Sequence, residues 1–244
     1  MHVKAIKTHL IQSGELLENI LDRHLLSISE QTILVITSKI ISICQGHILP
    51  KTSASKEELI KQEADATLQT KENPYGIYLT LKNNILIPSA GIDESNGDDV
   101  YILYPKDVQN TAIALWNYVR KKHSLKHLGV IITDSHTTPL RRGVTGIALG
   151  WCGFKPLYSY VGKSDLYDKS MRVTQINLLD ALATSAVLVM GEGNEQTPLA
   201  IISDAPKISF LTRPPTSAEE QSILIPIEED LYAPLLMGTT WLKP

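Results

Sequence analysis

The chain has 244 residues, 43% hydrophobic and 20% charged, with 14 Gly and 13 Pro, which excludes disordered, collagenous and low-complexity classes. That length gives ample core, either as a single unit over 1–244 or as two closely packed parts with no clear linker. Lys+Arg of 23 against Asp+Glu of 26 gives a net charge of -3 rather than the basic excess of a nucleic-acid binder, and two cysteines specify neither a disulfide framework nor a cysteine zinc site.

Taken in chain order, residues 15–25 read as a helix, with Leu16, Leu17, Ile20, Leu21 and Leu25 on one stripe. Thr32–Thr37 is a β-branched apolar run of strand length. Ser55 and Glu58 form a capping box that opens a polar helix expected to reach about Gln69. Residues 77–81 and 85–88 flank Asn83-Asn84 and read as a hairpin, and 100–104 as a further strand. Asp107 is the expected N-cap of a helix to His123, carrying Ala112, Ile113, Leu115, Trp116 and Val119. Residues 128–133 are the most buried-looking strand, 175–190 a second long helix, and 198–203 another strand. From Pro206 onwards periodicity is weak, and that segment is expected to wrap the surface or a partner. The pattern predicts a mixed α/β chain of the α+β kind, with mixed sheets and packed helices, and a boundary near Asp107. The first residues lack the apolar core of a signal peptide, and no stretch reaches the roughly 18 apolar residues of a membrane span, so a cytoplasmic protein is expected.

Three apparent motifs fail on inspection. Gly162-Lys163-Ser164 ends like a phosphate-binding loop, but Leu157 stands where that loop requires glycine. Residues 93–98 resemble a calcium loop, yet Asp98 occupies the place of its sixth-position glycine. Gly191-Glu192-Gly193 follows a helix instead of preceding one, so it is no dinucleotide fingerprint.

Three acidic segments remain: Asp93 to Asn96 after one strand, Asp134-Ser135 on top of another, and Glu192 to Glu195 closing a helix. Their oxygens are hard donors suited to Mg²⁺ or Mn²⁺ shared with phosphates. Each has a plainer reading: Asp134 as a turn cap, Asp93 with Asn96 as a surface Asx turn, Gly191 and Gly193 as a helix C-cap. Arg141-Arg142 is either a solvated pair or a fork for carboxylate or phosphate.

Seven segments occur in a specific order: Thr37-Ser-Lys-Ile-Ile-Ser42, Ala90-Gly-Ile-Asp-Glu-Ser-Asn96, Gly129-Val-Ile-Ile-Thr-Asp134, Arg141-Arg-Gly-Val-Thr-Gly146, Ile147-Ala-Leu-Gly150, Asp165-Leu-Tyr167 and Met190-Gly-Glu-Gly193. In this order, between about Thr32 and Pro198, they resemble the coenzyme F420-0:L-glutamate ligase family. The resemblance implies a nucleoside-triphosphate-dependent amide ligase of the γ-glutamate type, using GTP or ATP and two divalent ions, on an intertwined two-part protomer in a homodimer. It also implies small-molecule substrates: the triphosphate, L-glutamate and a carboxylate acceptor. Carried over by position, Asp93, Asp134, Ser135 and Glu192 are metal ligands. Ser38, Lys39, Asn96, Met190, Gly191, Glu192, Gly193, Asn194 and Glu195 are nucleotide contacts. Asp93 and Asp134 are placed in catalysis, with Arg141 and Arg142 holding an anionic part of a substrate on charge and position alone.

Two departures stand out. The family follows its metal-binding Asp-Thr with Gly-Arg, whereas this chain reads Asp134-Ser-His-Thr137-Thr138; and Ile43 stands where some members place a nucleotide-binding lysine. The first favours a folate-type acceptor over the phosphorylated deazaflavin, since hydroxyls bring no charge to an anion. Rival classes are a non-catalytic nucleotide or metal sensor, a metal phosphohydrolase and a structural protein.

Overall fold

The computed structural model describes residues 1–68 and 73–244. In chain order its elements are β1 (His2–Ile6), α1 (Leu17–His24), β2 (Thr32–Thr37), α2 (Ser38–Cys44), β3 (Ile48–Pro50), α3 (Lys56–Glu63), β4 (Ala66–Leu68), β5 (Leu79–Lys82), β6 (Ile85–Pro88) and β7 (Val100–Ile102). There follow α4 (Val108–His123), β8 (Leu128–Thr137), β9 (Val144–Cys152), β10 (Leu157–Ser159), β11 (Gln175–Asn177), α5 (Leu178–Met190), β12 (Leu199–Ser203), α6 (Ser217–Gln221), α7 (Ala233–Leu236) and β13 (Trp241–Leu242). The class is the expected mixed α/β one. No helix among the described residues is long and apolar enough to cross a membrane.

The chain divides into two compact units. The first comprises Met1–Leu10, Leu16–Thr37 and Asp107–Ile223. Its sheet has the order β1-β12-β2-β8-β9, with β2 and β8 parallel and the other pairs antiparallel. Both parallel strands are buried apolar runs, as a sheet covered on two faces requires. On one face Ile33, Val35 and Ile131 pack against Leu179, Leu182, Ala183 and Ala186 of α5. On the other, Val108 of α4 comes so close to Gly150 that a Cβ there would lie 2.9 Å from it, and Trp116 Nε1 donates to Leu128 O at 2.7 Å. Asn177 caps α5 by accepting the Asp180 N–H, so the helix begins after β11 and not at Gln175.

The second unit comprises Ile11–Glu15, Ser38–Lys106 and Leu224–Pro244. It holds a sheet of order β13-β4-β5-β6 and the pair β3-β7. The β5–β6 hairpin turns through Asn83 and Asn84, both with positive φ (49° and 61°), the geometry a two-residue turn demands. The Ser55–Glu58 capping box is present, but α3 stops at Glu63 because the chain turns into β4, which pairs with β5. Gln69, the expected helix end, lies outside the described residues. The segment after Pro206, expected to wrap the surface, contributes α6 to the first unit, and α7 and β13 to the second.

Candidate functional site

In the second unit the predicted residues gather where α2 meets the segment after β6. Ser38 opens α2 and is buried; Lys39, next to it, sends its ammonium to Asp93 Oδ2 at 2.7 Å. The same ammonium donates to Ser95 Oγ at 3.0 Å and to Ser95 O at 3.4 Å. Ser95 in turn donates its N–H to Asp93 Oδ1 at 2.7 Å and its hydroxyl to Oδ2 at 3.1 Å. An Asx turn is present at Asp93, closed by the Ser95 N–H, and its carboxylate also holds an ammonium. Asp93 is fixed by a two-way backbone bridge to Ile102, 2.9 Å in each direction. Burial pushes its carboxyl up, but the Lys39 ammonium and Ser95 outweigh that and hold it below the usual carboxylate range. Asn96 is exposed, with a positive φ of 55°.

Sequence reasoning gave no role to the neighbours of this cluster. Glu94 receives Lys56 at 2.5 Å and Lys51 at 3.4 Å, and Lys56 first among them lowers its pKa. Nothing in the spacing of Lys51 and Lys56 along the chain announces that they share one carboxylate.

In the first unit Asp134 and Ser135 lie near the end of β8, half-buried, with the Ser135 N–H donating to Asp134 Oδ1 at 2.8 Å. The β8–β9 register slips just before them. Ile132 faces Gly150 but Thr133 faces Ala148, which leaves Leu149 as the extra residue of a bulge. The bulge offsets β9 by one position beside Asp134, so Asp134 is a ladder residue of a long strand and not a turn cap. His136 follows. Its Nδ1 is buried with no hydrogen-bond partner among the described residues, and burial lowers its pKa against the opposing pull of Asp180. Arg141 and Arg142 are exposed in the β8–β9 turn, which the Arg141 N–H closes onto Thr138 O at 3.2 Å.

The third predicted segment ends α5. Gly191 is its C-cap, with φ 77°, so the plainer reading holds for this residue. Glu195 folds back over it: Glu195 Oε2 accepts the Gly193 N–H at 2.8 Å, and a Cβ on Gly191 would stand 2.5 Å from Glu195 Cδ. The Met190 side chain belongs to the α5 core, and its carbonyl accepts from Thr197 Oγ1 at 2.5 Å. Glu192, Gly193 and Asn194 are exposed around this turn.

Several simpler chemistries lack support. Burial pushes the Cys152 thiol up to about 12, so it is protonated and serves packing. No group of three or more His, Cys, Asp or Glu side chains able to hold a metal occurs among the described residues. The observation that bears on a cation is at Asp93, where an ammonium already occupies a carboxylate preset by Ser95. Hard oxygen donors of that kind fit Mg²⁺ or Mn²⁺. A cavity of about 560 Å³ opens at the other end of β2 and β8, lined by Glu30, Thr32, His127, Asp204 and Phe210 among others, and none of the predicted residues lines it.

Comparison with known proteins places the chain. The sequence profile of the F420-0:Gamma-glutamyl ligase family matches residues 5–204. The coenzyme F420:L-glutamate ligase of Methanosarcina mazei is 30% identical over 211 residues, spanning 80% of this chain and 82% of that protein. The enzyme of the same name from Methanosarcina barkeri is 29% identical over 208 residues, spanning 79% and 81%. That from Methanocaldococcus jannaschii is 29% identical over 222 residues, spanning 84% and 86%. The ordered motifs and the match over residues 5–204 agree: the chain belongs to the F420-0:gamma-glutamyl ligase family and is a ligase that forms a C–N bond.

Proposed function

We propose that the chain adds L-glutamate in γ-amide linkage to the phosphorylated deazaflavin F420-0, at the expense of GTP or ATP. The observation that carries this reading is the family match over residues 5–204; relatives named for coenzyme F420 support the deazaflavin over the folate-type acceptor that the sequence analysis favours.

An amide bond from a carboxylate needs an activated acyl group, because a carboxylate is a poor electrophile. A carboxylate oxygen of the acceptor attacks the terminal phosphorus, forming an O–P bond as the bond to the nucleoside diphosphate breaks. The glutamate amine then attacks the acyl carbon, phosphate leaves, and the amine gives up a proton. Asp93, Asp134, Ser135 and Glu192 are the oxygen donors assigned to the two divalent cations, which when bound would neutralise charge on the phosphates. Ser38 and Lys39 at the start of α2, Asn96, and the turn from Met190 to Glu195 are assigned to the nucleotide. The exposed Arg141 and Arg142 suit an anionic substrate group, since guanidinium binds carboxylate and phosphate bidentately. A homodimer belongs to the same reading.

One observation favours the folate-type acceptor as a second reading: Thr137 and Thr138, exposed and uncharged, stand where the resemblance places Gly-Arg. Losing a charge-assisted hydrogen bond costs about 1.5–3 kcal/mol, unless Arg141 or Arg142 replaces it. The deciding experiment offers F420-0 and a folate at equal concentration, with and without L-glutamate, and reads product masses and released phosphate. Glutamylation of F420-0 is expected. Glutamylation of the folate alone overturns the acceptor, phosphate release without glutamate or acceptor identifies a phosphohydrolase, and binding without release identifies a sensor.

A further inference from the structure

The Lys39–Asp93 pair has the geometry of an occupied cation position. An ammonium has three N–H donors, and those of Lys39 are matched by Asp93 Oδ2, Ser95 Oγ and Ser95 O at 2.7, 3.0 and 3.4 Å. Asp93 cannot swing away, because its backbone is bridged to Ile102 and Ser95 holds both carboxylate oxygens. Lys39, by contrast, reaches it through a flexible four-carbon stem from α2, a helix anchored by buried Ile40 and Ile41. The side chains are 25% and 39% exposed, so solvent reaches the pair and exchange needs no opening of the core.

We infer that Lys39 is the resident counter-ion of Asp93, which a divalent cation must displace before it can bind there. The inference rests on the proposed role of Asp93 as a metal ligand. Its neighbours define what displacement means. Glu94 already holds Lys51 and Lys56, so it is not open to a displaced Lys39. These five side chains then carry three ammoniums, two carboxylates and the incoming cation, an excess of positive charge that the phosphates of a nucleotide relieve. Without nucleotide, Lys39 keeps Asp93 closed to metal.

The test titrates Mn²⁺ into the nucleotide-free, full-length chain and follows free Mn²⁺ by electron paramagnetic resonance, so no turnover is involved. Lys39→Met and Lys39→Gln are expected to bind Mn²⁺ about five- to tenfold more tightly than the unaltered chain, the scale of a partly exposed charge-assisted pair. Lys51→Met removes the same charge from Glu94 instead and is expected to change the affinity by less than about twofold. Adding Asp93→Asn to Lys39→Met is expected to abolish the gain in Mn²⁺ affinity. Unchanged or weaker binding in both Lys39 variants, or an equal gain in Lys51→Met, overturns the exchange while Asp93 stands as a ligand. A gain in Mn²⁺ affinity that persists when Asp93→Asn is added to Lys39→Met overturns the metal assignment itself, and the exchange with it.

Discussion

Gly146 of β9 lies against the backbone of Ala183 in α5: a Cβ placed on it would stand 2.5 Å from both the carbonyl carbon and oxygen of Ala183 and 2.7 Å from the nitrogen of Thr184. Thr184 Oγ1 donates to the Gly146 carbonyl at 2.8 Å, so strand and helix are joined there by a hydrogen bond as well as by contact. Gly146 also pairs with Ser135, which ties the helix position to the β8 segment that carries Asp134.

Gly146→Ala is therefore expected to push α5 from the sheet, at a cost of about 1–3 kcal/mol. For a chain of this size that lowers the melting temperature by about 2–4 °C per kcal/mol. Gly143→Ala is the control. It has a φ of 90° but nothing within 4 Å, so only the backbone penalty of about 1–2 kcal/mol applies. Calorimetry of both variants decides the matter, and a milder effect at Gly146 than at Gly143 contradicts the packing.

Asp134→Asn and Asp93→Asn test the carboxylates without disturbing the fold. Asparagine offers the same carbonyl oxygen to the Ser135 N–H, which Asp134 accepts at 2.8 Å, and to the Ser95 N–H, which Asp93 accepts at 2.7 Å. Each variant is expected to melt within a few degrees of the parent. Each is also expected to lose more than about a hundredfold in ligase rate, since even outer-shell metal partners cost 10–100-fold. Parental rates in either variant would remove that residue from the reaction.

Acid lability has a local source in α6. The Arg213 guanidinium, bound to Glu219 at 2.6 and 2.9 Å, and the Thr216 N–H at 2.8 Å lower the Glu219 pKa from 4.5 to about 2. A carboxyl depressed on folding adds stability that is complete above its unfolded pKa and is lost as pH falls towards the folded value. The melting temperature of Glu219→Gln should thus lie below the parent's at pH 7, with the gap closing from about pH 4.5 down to pH 2. A constant gap across that range would show that lost packing, not charge, is responsible.

The proposed homodimer is open to test in the first unit. Leu166, Tyr167 and Val173, between β10 and β11, are 97%, 81% and 83% exposed, apolar side chains of the kind an interface covers. Sedimentation at micromolar concentration is expected to show a dimer, and Leu166→Asp with Val173→Asp to shift it to monomer. A fully active compact monomer in the parent chain would refute the assembly.

Much of this architecture is legible in the residues, where one local signal acts alone. The apolar runs of β2 and β8, the paired asparagines of the β5–β6 turn and the Ser55 capping box each appear where their chemistry predicts. What escapes is what tertiary contact decides. β9 is missing from the predicted elements: it carries Gly146 and Gly150, which are there because α5 and α4 come too close for a Cβ. α2 is missing as well: Ile40, Ile41 and Ile43 are β-branched, and it is the burial of Ile40 and Ile41 that settles the backbone as a helix. Of the site, Asp93 and Asp134 stand out as carboxylates after strands. The pairing of Lys39 with Asp93 across more than three quarters of the second unit's largest segment, and the role of Ser95 beside them, leave no trace in spacing.

The pairing of distant strands sets the order in which the protein can be completed as it is made. β4 pairs with β5 on one side, but its other edge waits for β13, so Thr67 gains its second antiparallel neighbour only when Leu242 has left the ribosome. Likewise β1 is made long before its partner β12, which begins at Leu199. Neither sheet can close its edge early. During translation β1 and β4 therefore present unpaired amide rows, the surface most prone to join a neighbouring chain. Shortening the chain before Trp241 would make that exposure of β4 permanent, turning a transient hazard of synthesis into a lasting one.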